Sequence, residues 1–202
     1  DVSGNSSMRQ RRLVREIDGA TESFKYDGNG NLTNWVCGTT NWVYQWDWAD
    51  RMTRVTSNGV VVLENWYDAG SHRIGKAEVS GSTASRYLYL FDGWDIVGVS
   101  SGGNGLYDSF TRGVALAGDI GGLIAVTRNN QRYYLHNNHR GDITHVRMNN
   151  ITLSTHRYTA FGQIIGTTTS NSRFRFSSKE RDPSTGFYYY GLRYYSPSTG
   201  RW

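Results

Sequence analysis

Apolar and polar residues alternate along much of this 202-residue chain. Phe24 and Tyr26 are two apart, as are Tyr44 and Trp46, so in a pleated strand each pair places its rings on one face. The alternation stops at an aspartate and a short polar turn, then resumes in Leu32-Thr-Asn-Trp-Val36 and Met52-Thr-Arg-Val-Thr56. Gly38 and Ser57-Asn58-Gly59 supply the next turns, the latter a hairpin signal. Each unit reads as strand, turn, strand, and such hairpins stack because one alone cannot bury its apolar face. The pattern predicts an all-β chain of stacked antiparallel β-hairpins.

The unit repeats. An aromatic-Asp dipeptide recurs at Tyr26-Asp27, Trp46-Asp47, Tyr67-Asp68 and Phe91-Asp92, at intervals of 20, 21 and 24 residues from aspartate to aspartate. A carboxylate that opens a turn can accept the N–H groups of that turn, which gives all four aspartates a structural role. Tyr26, Trp46, Tyr67 and Phe91 are expected to stack along the rungs, adding about 0.5–1.5 kcal/mol per ring pair beyond burial.

Composition narrows the class. The 7 Trp, 14 Tyr and 7 Phe exclude a disordered tail, and 2 prolines exclude collagen-like and proline-rich chains. The most apolar run, Val60 to Leu63, is far too short to span a bilayer as a helix. The 24 glycines mark turns. Net charge is +5, yet only Lys25, Lys76 and Lys179 of the 22 basic residues are lysines. Arginine stacks on rings and forks onto carboxylates, as an aromatic, Asp-bearing sheet requires. The arginines spread from Arg9 to Arg201 with one cluster at Arg9, Arg11, Arg12 and Arg15, which disfavours nucleic acid as a partner. Cys37 is single, so there is no disulfide framework; it reads as a small apolar filler. With no initiator Met and no secretory leader, the chain reads as a piece of a longer one.

Taken with the C-terminal sequence, the aromatic-Asp units resemble the YD repeats of the RHS/YD-repeat proteins. Tyr133-Tyr-Leu-His-Asn-Asn-His-Arg-Gly-Asp-Ile143, Arg157-Tyr-Thr-Ala-Phe-Gly162 and the block from Phe174 to Trp202 are similar to the RHS repeat-associated core. The signature residues of that block are Asp182, Gly186, Tyr188, Tyr189, Tyr190, Arg193, Tyr194, Tyr195, Gly200, Arg201 and Trp202. Tyr188, Tyr189, Tyr190, Tyr194 and Tyr195 are expected to form the densest aromatic cluster. The sequence departs from the family pattern at Asn138, Thr159 and Ser196, where aspartates are usual. The implied organisation is an N-terminal edge or partial repeat at 1–20, YD repeats at 21–103, a Gly-rich apolar connector at 104–131 and the core at 132–202. In proteins similar to this, YD repeats build a strip of a spiralling β-shell around a C-terminal toxin or effector. The implied partners are that cargo in cis and the rest of the parent shell. Self-cleavage in such proteins uses aspartates beyond the Gly-Arg-[Phe/Trp] signature, so no catalytic residue carries over.

His136 and His139, with His145 further on, invite a metal reading; the i, i+3 spacing would suit a helix, but the region reads as strand-turn-strand, so the two need not face together, and neither metal nor cofactor is expected. Arg140-Gly141-Asp142 falls where the core pattern has a glycine turn. Asn5, Asn31 and Asn150 head glycosylation triplets. Gly113 to Val126 lacks a phosphate-loop pattern and reads as a buried loop or plug. The repeated aspartates do not form a unique catalytic pair, and no nucleophile elbow is present. The expectation is a non-enzymatic scaffold, secreted or on the bacterial cell surface. The alternatives are an extracellular glycan-binding or adhesion module and a β element that self-associates through open sheet edges.

Overall fold

Two kinds of turn recur along the chain and set its architecture. The first is a two-residue hairpin turn, as at Asn58-Gly59, Asn129-Asn130 and Asn149-Asn150, where both central residues have positive φ. That geometry matches the right-handed twist of the flanking strands, and Asn enters it at lower cost than most residues. The second is a five-residue turn whose fourth residue is left-handed: Gly30 (φ 92°), Asp50 (59°), Ser71 (69°), Gly141 (77°) and Gly162 (83°).

The computed structural model describes residues 11–17, 20–102, 107–113, 122–166 and 172–202. Asn5, Arg9 and most of the apolar stretch after Gly113 lie outside the described residues. The chain divides into two compact units, Asp1–Trp66 with Ala77–Ala84 and Tyr67–Lys76 with Ser85–Trp202.

In the first unit, β1 (Arg11–Ile17), β2 (Ala20–Tyr26), β3 (Leu32–Cys37), β4 (Thr40–Trp46), β5 (Met52–Ser57) and β6 (Val60–Trp66) form a meander. Each strand pairs antiparallel with the next. Phe24, Tyr26, Tyr44, Met52, Val55 and Leu63 are buried, so one face of the meander is apolar as the alternation predicts. β7 (Gly75–Ser80) and β8 (Thr83–Asp92) have residues in both units.

The second unit continues with β9 (Asp95–Ser100), β10 (Asp108–Arg112), β11 (Leu123–Arg128), β12 (Gln131–Asn137), β13 (Ile143–Met148) and β14 (Ile151–Thr155). These strands again pair antiparallel in chain order. Their core holds Tyr89, Ile96, Val99, Phe110, Leu123, Val126, Leu135, Ile143, Val146 and Phe174. The stretch 104–131, expected to be a connector, therefore contains two paired strands, β10 and β11. Leu123 to Val126 belongs to a buried strand and not to a loop, because its neighbours β10 and β12 take up its backbone groups.

A small sheet of β15 (Glu180–Arg181), β16 (Tyr188–Tyr189) and β17 (Tyr194–Tyr195) completes the second unit. Phe174 meets Phe110 edge-on at 4.9 Å, tying the C-terminal block to the larger sheet. No α-helix occurs among the described residues, and none there is long and apolar enough to cross a membrane.

Candidate functional site

The repeat is a chemical module as much as a sequence pattern. In the Asp27 turn, Oδ1 accepts the N–H groups of Asn29 (3.0 Å) and Asn31 (2.8 Å), while the Asp27 N–H donates to the Asn31 carbonyl (3.0 Å). Asp47 repeats this with Ala49 (3.0 Å) and Arg51 (3.0 Å), and Asp68 accepts from the His72 N–H (2.8 Å). The second carboxylate oxygen faces a side chain four residues on: Asn31 Nδ2 (3.0 Å), Arg51 Nε (2.7 Å) and His72 Nδ1 (3.1 Å). Burial raises the Asp47 carboxyl, but the Arg51 and Ala49 donors outweigh it and hold the group below its ordinary range.

The family's missing aspartates keep the same geometry. Asn138 Oδ1 accepts from Arg140 (2.9 Å) and Asp142 (3.0 Å), and Thr159 Oγ1 accepts from Gln163 (3.1 Å). Asp182 and Ser196 share a longer turn: Asp182 N–H reaches the Phe187 carbonyl (2.8 Å) and Ser196 N–H reaches the Arg201 carbonyl (2.7 Å). Gly186 and Gly200 close these turns onto the Asp182 and Ser196 carbonyls.

A bulge precedes the Asp27, Asp47 and Asn138 turns, with register shifts at Lys25/Tyr26, Gln45/Trp46 and His136/Asn137. Opposite each bulge stands a threonine. Thr33, Thr53 and Thr144 donate to the carbonyls of Lys25 (3.1 Å), Gln45 (3.2 Å) and His136 (3.0 Å). The bulge leaves one residue unpaired, and the hydroxyl meets a carbonyl there.

Phe91-Asp92 departs from the template. Asp92 ends β8 and pairs with Asp95 across the two-residue Gly93-Trp94 turn, so it does not open a five-residue turn. The loop is too short to offer the N–H groups that the other aspartates bind. The stacked ladder of the first unit runs through Phe24, Trp35 and Trp42, with ring centroids 5.9 and 6.1 Å apart and planes 8° and 19° from parallel. Tyr26 is buried at its bulge, and the Trp46 indole donates to the Leu32 carbonyl (2.8 Å).

The signature block surrounds a cluster of buried charges. Arg73, Lys76 and Asp182 are 0% exposed and Glu180 is 1% exposed. Lys76 Nζ lies 2.8 Å from both Glu180 Oε1 and Asp182 Oδ1. Arg73 Nη2 contacts Glu180 Oε2, and Arg73 Nη1 lies 3.5 Å from Asp182 Oδ2. Four tyrosines close the cage. Arg73 Nη1 donates to Tyr194 (2.7 Å), Nη2 to Tyr89 (3.2 Å) and its backbone N–H to Tyr189 (3.2 Å). Tyr67 hydrogen-bonds Tyr194. The guanidinium also sits 4.0 Å from the Tyr189 ring centroid. Burial would raise the Glu180 carboxyl, but Lys76, Arg73 and Arg173 hold it well below its ordinary value. Burial would lower Lys76, and Asp182 and Glu180 outweigh it to keep the ammonium charged. Buried and paired with one another, these groups act as an ionic pin.

The remaining signature residues lock the surroundings. Tyr188 and Tyr195 donate to the Gly162 and Phe161 carbonyls at 3.0 Å each. Gly162 is held by packing: a Cβ there would lie 2.6 Å from the Phe176 ring. Tyr190 and Tyr195 pack on Trp202 at 4.6 and 5.1 Å, and the exposed Arg193 contributes its carbonyl to Tyr190 N–H (2.9 Å). Arg201 bridges Ser196 from an exposed position. Arg73, Lys76 and Glu180 were not singled out by sequence. Arg73 and Lys76 lie 104 to 109 residues before the carboxylates they meet, a separation that no local pattern reports.

His136 and His145 face each other across β12 and β13 with rings 6.4 Å apart. Among the described residues no three or more His, Cys, Asp or Glu side chains form a metal-holding group. Arg140 pairs with Asp142 at 2.9 Å, and Asp142 is buried, so this tripeptide is part of the Asn138 turn.

Known proteins share this sequence over most of its length. The chain is 32% identical over 186 residues to the tRNA3(Ser)-specific nuclease WapA of Bacillus spizizenii, covering 89% of this chain and 8% of that protein. The tRNA nuclease WapA of Bacillus subtilis strain 168 matches at the same identity and the same coverage of both chains. Toxin subunit YenC2 of Yersinia entomophaga is 59% identical over 34 residues, 17% of this chain and 3% of that one. The chain thus spans under a tenth of the length of each of these relatives. The Teneurin YD-shell model matches residues 11–202, and this chain belongs to the Teneurin YD-shell family.

Proposed function

We infer that this chain is a wall segment of a bacterial RHS-type protein, secreted or held at the cell surface, whose shell encloses and delivers a C-terminal toxin or effector carried in cis. The observation that carries the reading is the division of labour in the residues. The repeated aspartates serve turns, the aromatic residues serve packing, and the buried charges pair with one another. Such a segment supplies a wall. The nuclease named in the Bacillus relatives belongs to proteins more than ten times this length, and in this reading such activity resides in cargo outside residues 11–202.

Limited proteolysis of the parent chain tests the reading. The cargo region should resist protease while the wall is intact and become sensitive when Tyr194→Ala loosens the signature block. Equal digestion of the cargo in both proteins would overturn it.

A further inference from the structure

His136 ends the regular part of the ladder between β12 and β13. It stands directly opposite His145, and the register shifts at the next step, between His136 and Asn137. Residues opposite one another in an antiparallel pair share a face, with Cβ atoms about 4.5–5.5 Å apart. Both side chains are exposed, and the two imidazole rings lie 6.4 Å apart, centroid to centroid, with planes at 90°. Along the sequence the nearest histidine to His136 is His139, but in the sheet its ring meets a histidine of the next strand.

Hydrogen bonds beside the pair set the state of one ring. The Thr144 hydroxyl donates its proton to the His136 carbonyl at 3.0 Å. Its oxygen is left to accept from His145 Nδ1, also 3.0 Å away, so His145 carries its proton on Nδ1. That tautomer leaves a lone pair on Nε2, the form in which a neutral imidazole binds a metal. A ligating histidine ordinarily donates its other ring N–H to a nearby oxygen, which fixes tautomer and ring orientation together. Thr144 supplies that oxygen, and the same hydroxyl reaches back to the strand that bears the second imidazole. Arg147, opposite Tyr134, is drawn to the Asn150 carbonyl at 2.9 Å. The donor type selects the ion. Imidazole suits Zn²⁺, Cu²⁺ and Ni²⁺, whereas Mg²⁺ and Ca²⁺ require oxygen ligands. With metal–nitrogen bonds of about 2.0–2.1 Å, an ion bridges the two rings after a small turn of the side chains, and water fills the other positions. Two protein ligands make an exchangeable site and not a closed structural one.

We propose that His136 and His145 together bind one divalent transition-metal ion of the zinc and copper class, a clip between β12 and β13 at the step where their register shifts. Zinc chloride is the probe, and the ring C–H resonances of the 5 histidines are the readout. Saturable shifts are expected at two of them, assigned by their loss in His136→Ala and His145→Ala. Each of these variants, both at exposed positions, should weaken Zn²⁺ binding about tenfold or more. His139→Ala, in the adjacent turn, should leave it within about twofold. Cu²⁺ should bind more tightly than Zn²⁺, and Mg²⁺ should shift neither ring. Thr144→Val removes the acceptor of the His145 N–H and should weaken binding about tenfold, while Thr144→Ser keeps it. Saturating Zn²⁺ should raise the melting temperature of the parent and not that of His145→Ala. The proposal is overturned if no saturable shift occurs at His136 and His145, if either histidine variant binds as the parent does, or if His139→Ala loses as much as His136→Ala.

Discussion

Asn138 Nδ2 donates to Asp142 Oδ2 at 2.9 Å, reversing the polarity of a pair that recurs along the chain. At Asp27, Asp47 and Asp68 the turn opens with a carboxylate and a donor follows four residues on, namely Asn31, Arg51 or His72. At Asn138 the carboxylate is the fourth residue after, so the opening residue must be the donor. Asp142 carries a second duty: its Oδ1 accepts the Ser177 N–H at 2.9 Å.

Restoring the family aspartate at this position should therefore destabilise the fold. Asn138→Asp sets two carboxylates at hydrogen-bond distance, and a loss of about 1–3 kcal/mol is expected. Asn138→Asp combined with Asp142→Asn restores one donor and one acceptor. Denaturant unfolding of the two singles and the double should show the double more stable than Asn138→Asp alone.

The ionic pin should respond to removal of one charge. Glu180→Gln leaves Arg73 and Lys76 facing only Asp182, with an expected loss of about 3–5 kcal/mol. Lys76→Met alone is costly for the mirror-image reason. The double variant should cost clearly less than the sum of the singles, because the two mutations share one interaction. Additive losses would count against the pin.

Tyr194 tests the aromatic cage in two steps. Tyr194→Phe removes the acceptor of the Arg73 bond and leaves buried donor capacity unmet, an expected loss of about 1–3 kcal/mol. Tyr194→Ala also opens a cavity and should cost about 3–5 kcal/mol, as should Tyr189→Ala. Near-ultraviolet circular dichroism should report loss of order in the C-terminal block.

How much of this was legible beforehand depended on range. The aromatic-Asp dipeptides and the Leu32-Thr33 and Met52-Thr53 pairs were visible because turn, bulge and threonine lie within about ten residues of one another. The strands of 104–131 were hidden because glycine punctuation outweighed the β-branched run of β11. Asp92 matched as a dipeptide, but the turn after it has two residues and not three. The pin was invisible because periodicity carries no information about a lysine and a glutamate separated by 104 positions.

A buried histidine should make the fold weaken as pH falls below about 6.5. His156 is 2% exposed, and burial, with Arg175 and His145 nearby, lowers its value from 6.5 to about 4. Between those values the unfolded chain binds a proton that the folded chain does not, so stability falls as pH drops through that window. One pKa unit corresponds to about 1.4 kcal/mol, giving a loss on the order of 3 kcal/mol by pH 4. Stability measured against pH should flatten between pH 6.5 and 5 in His156→Gln, and an unchanged slope would sink the assignment. The Glu180 contribution behaves differently: its carboxyl is depressed, so that stability is kept above its unfolded value and lost only at lower pH.

The ionic pin also imposes an order of events during synthesis. Each strand of the meanders finds its partner in the next stretch of chain to emerge, so pairing can follow translation step by step. Arg73 and Lys76 cannot finish in that way, because Glu180 and Asp182 are made 104 to 109 residues later. At about 5–20 residues per second this is a delay of roughly 5–20 s. For that interval two cations bound for the interior must stay in water, and the cage around them stays open until the block that begins at Phe174 has been made.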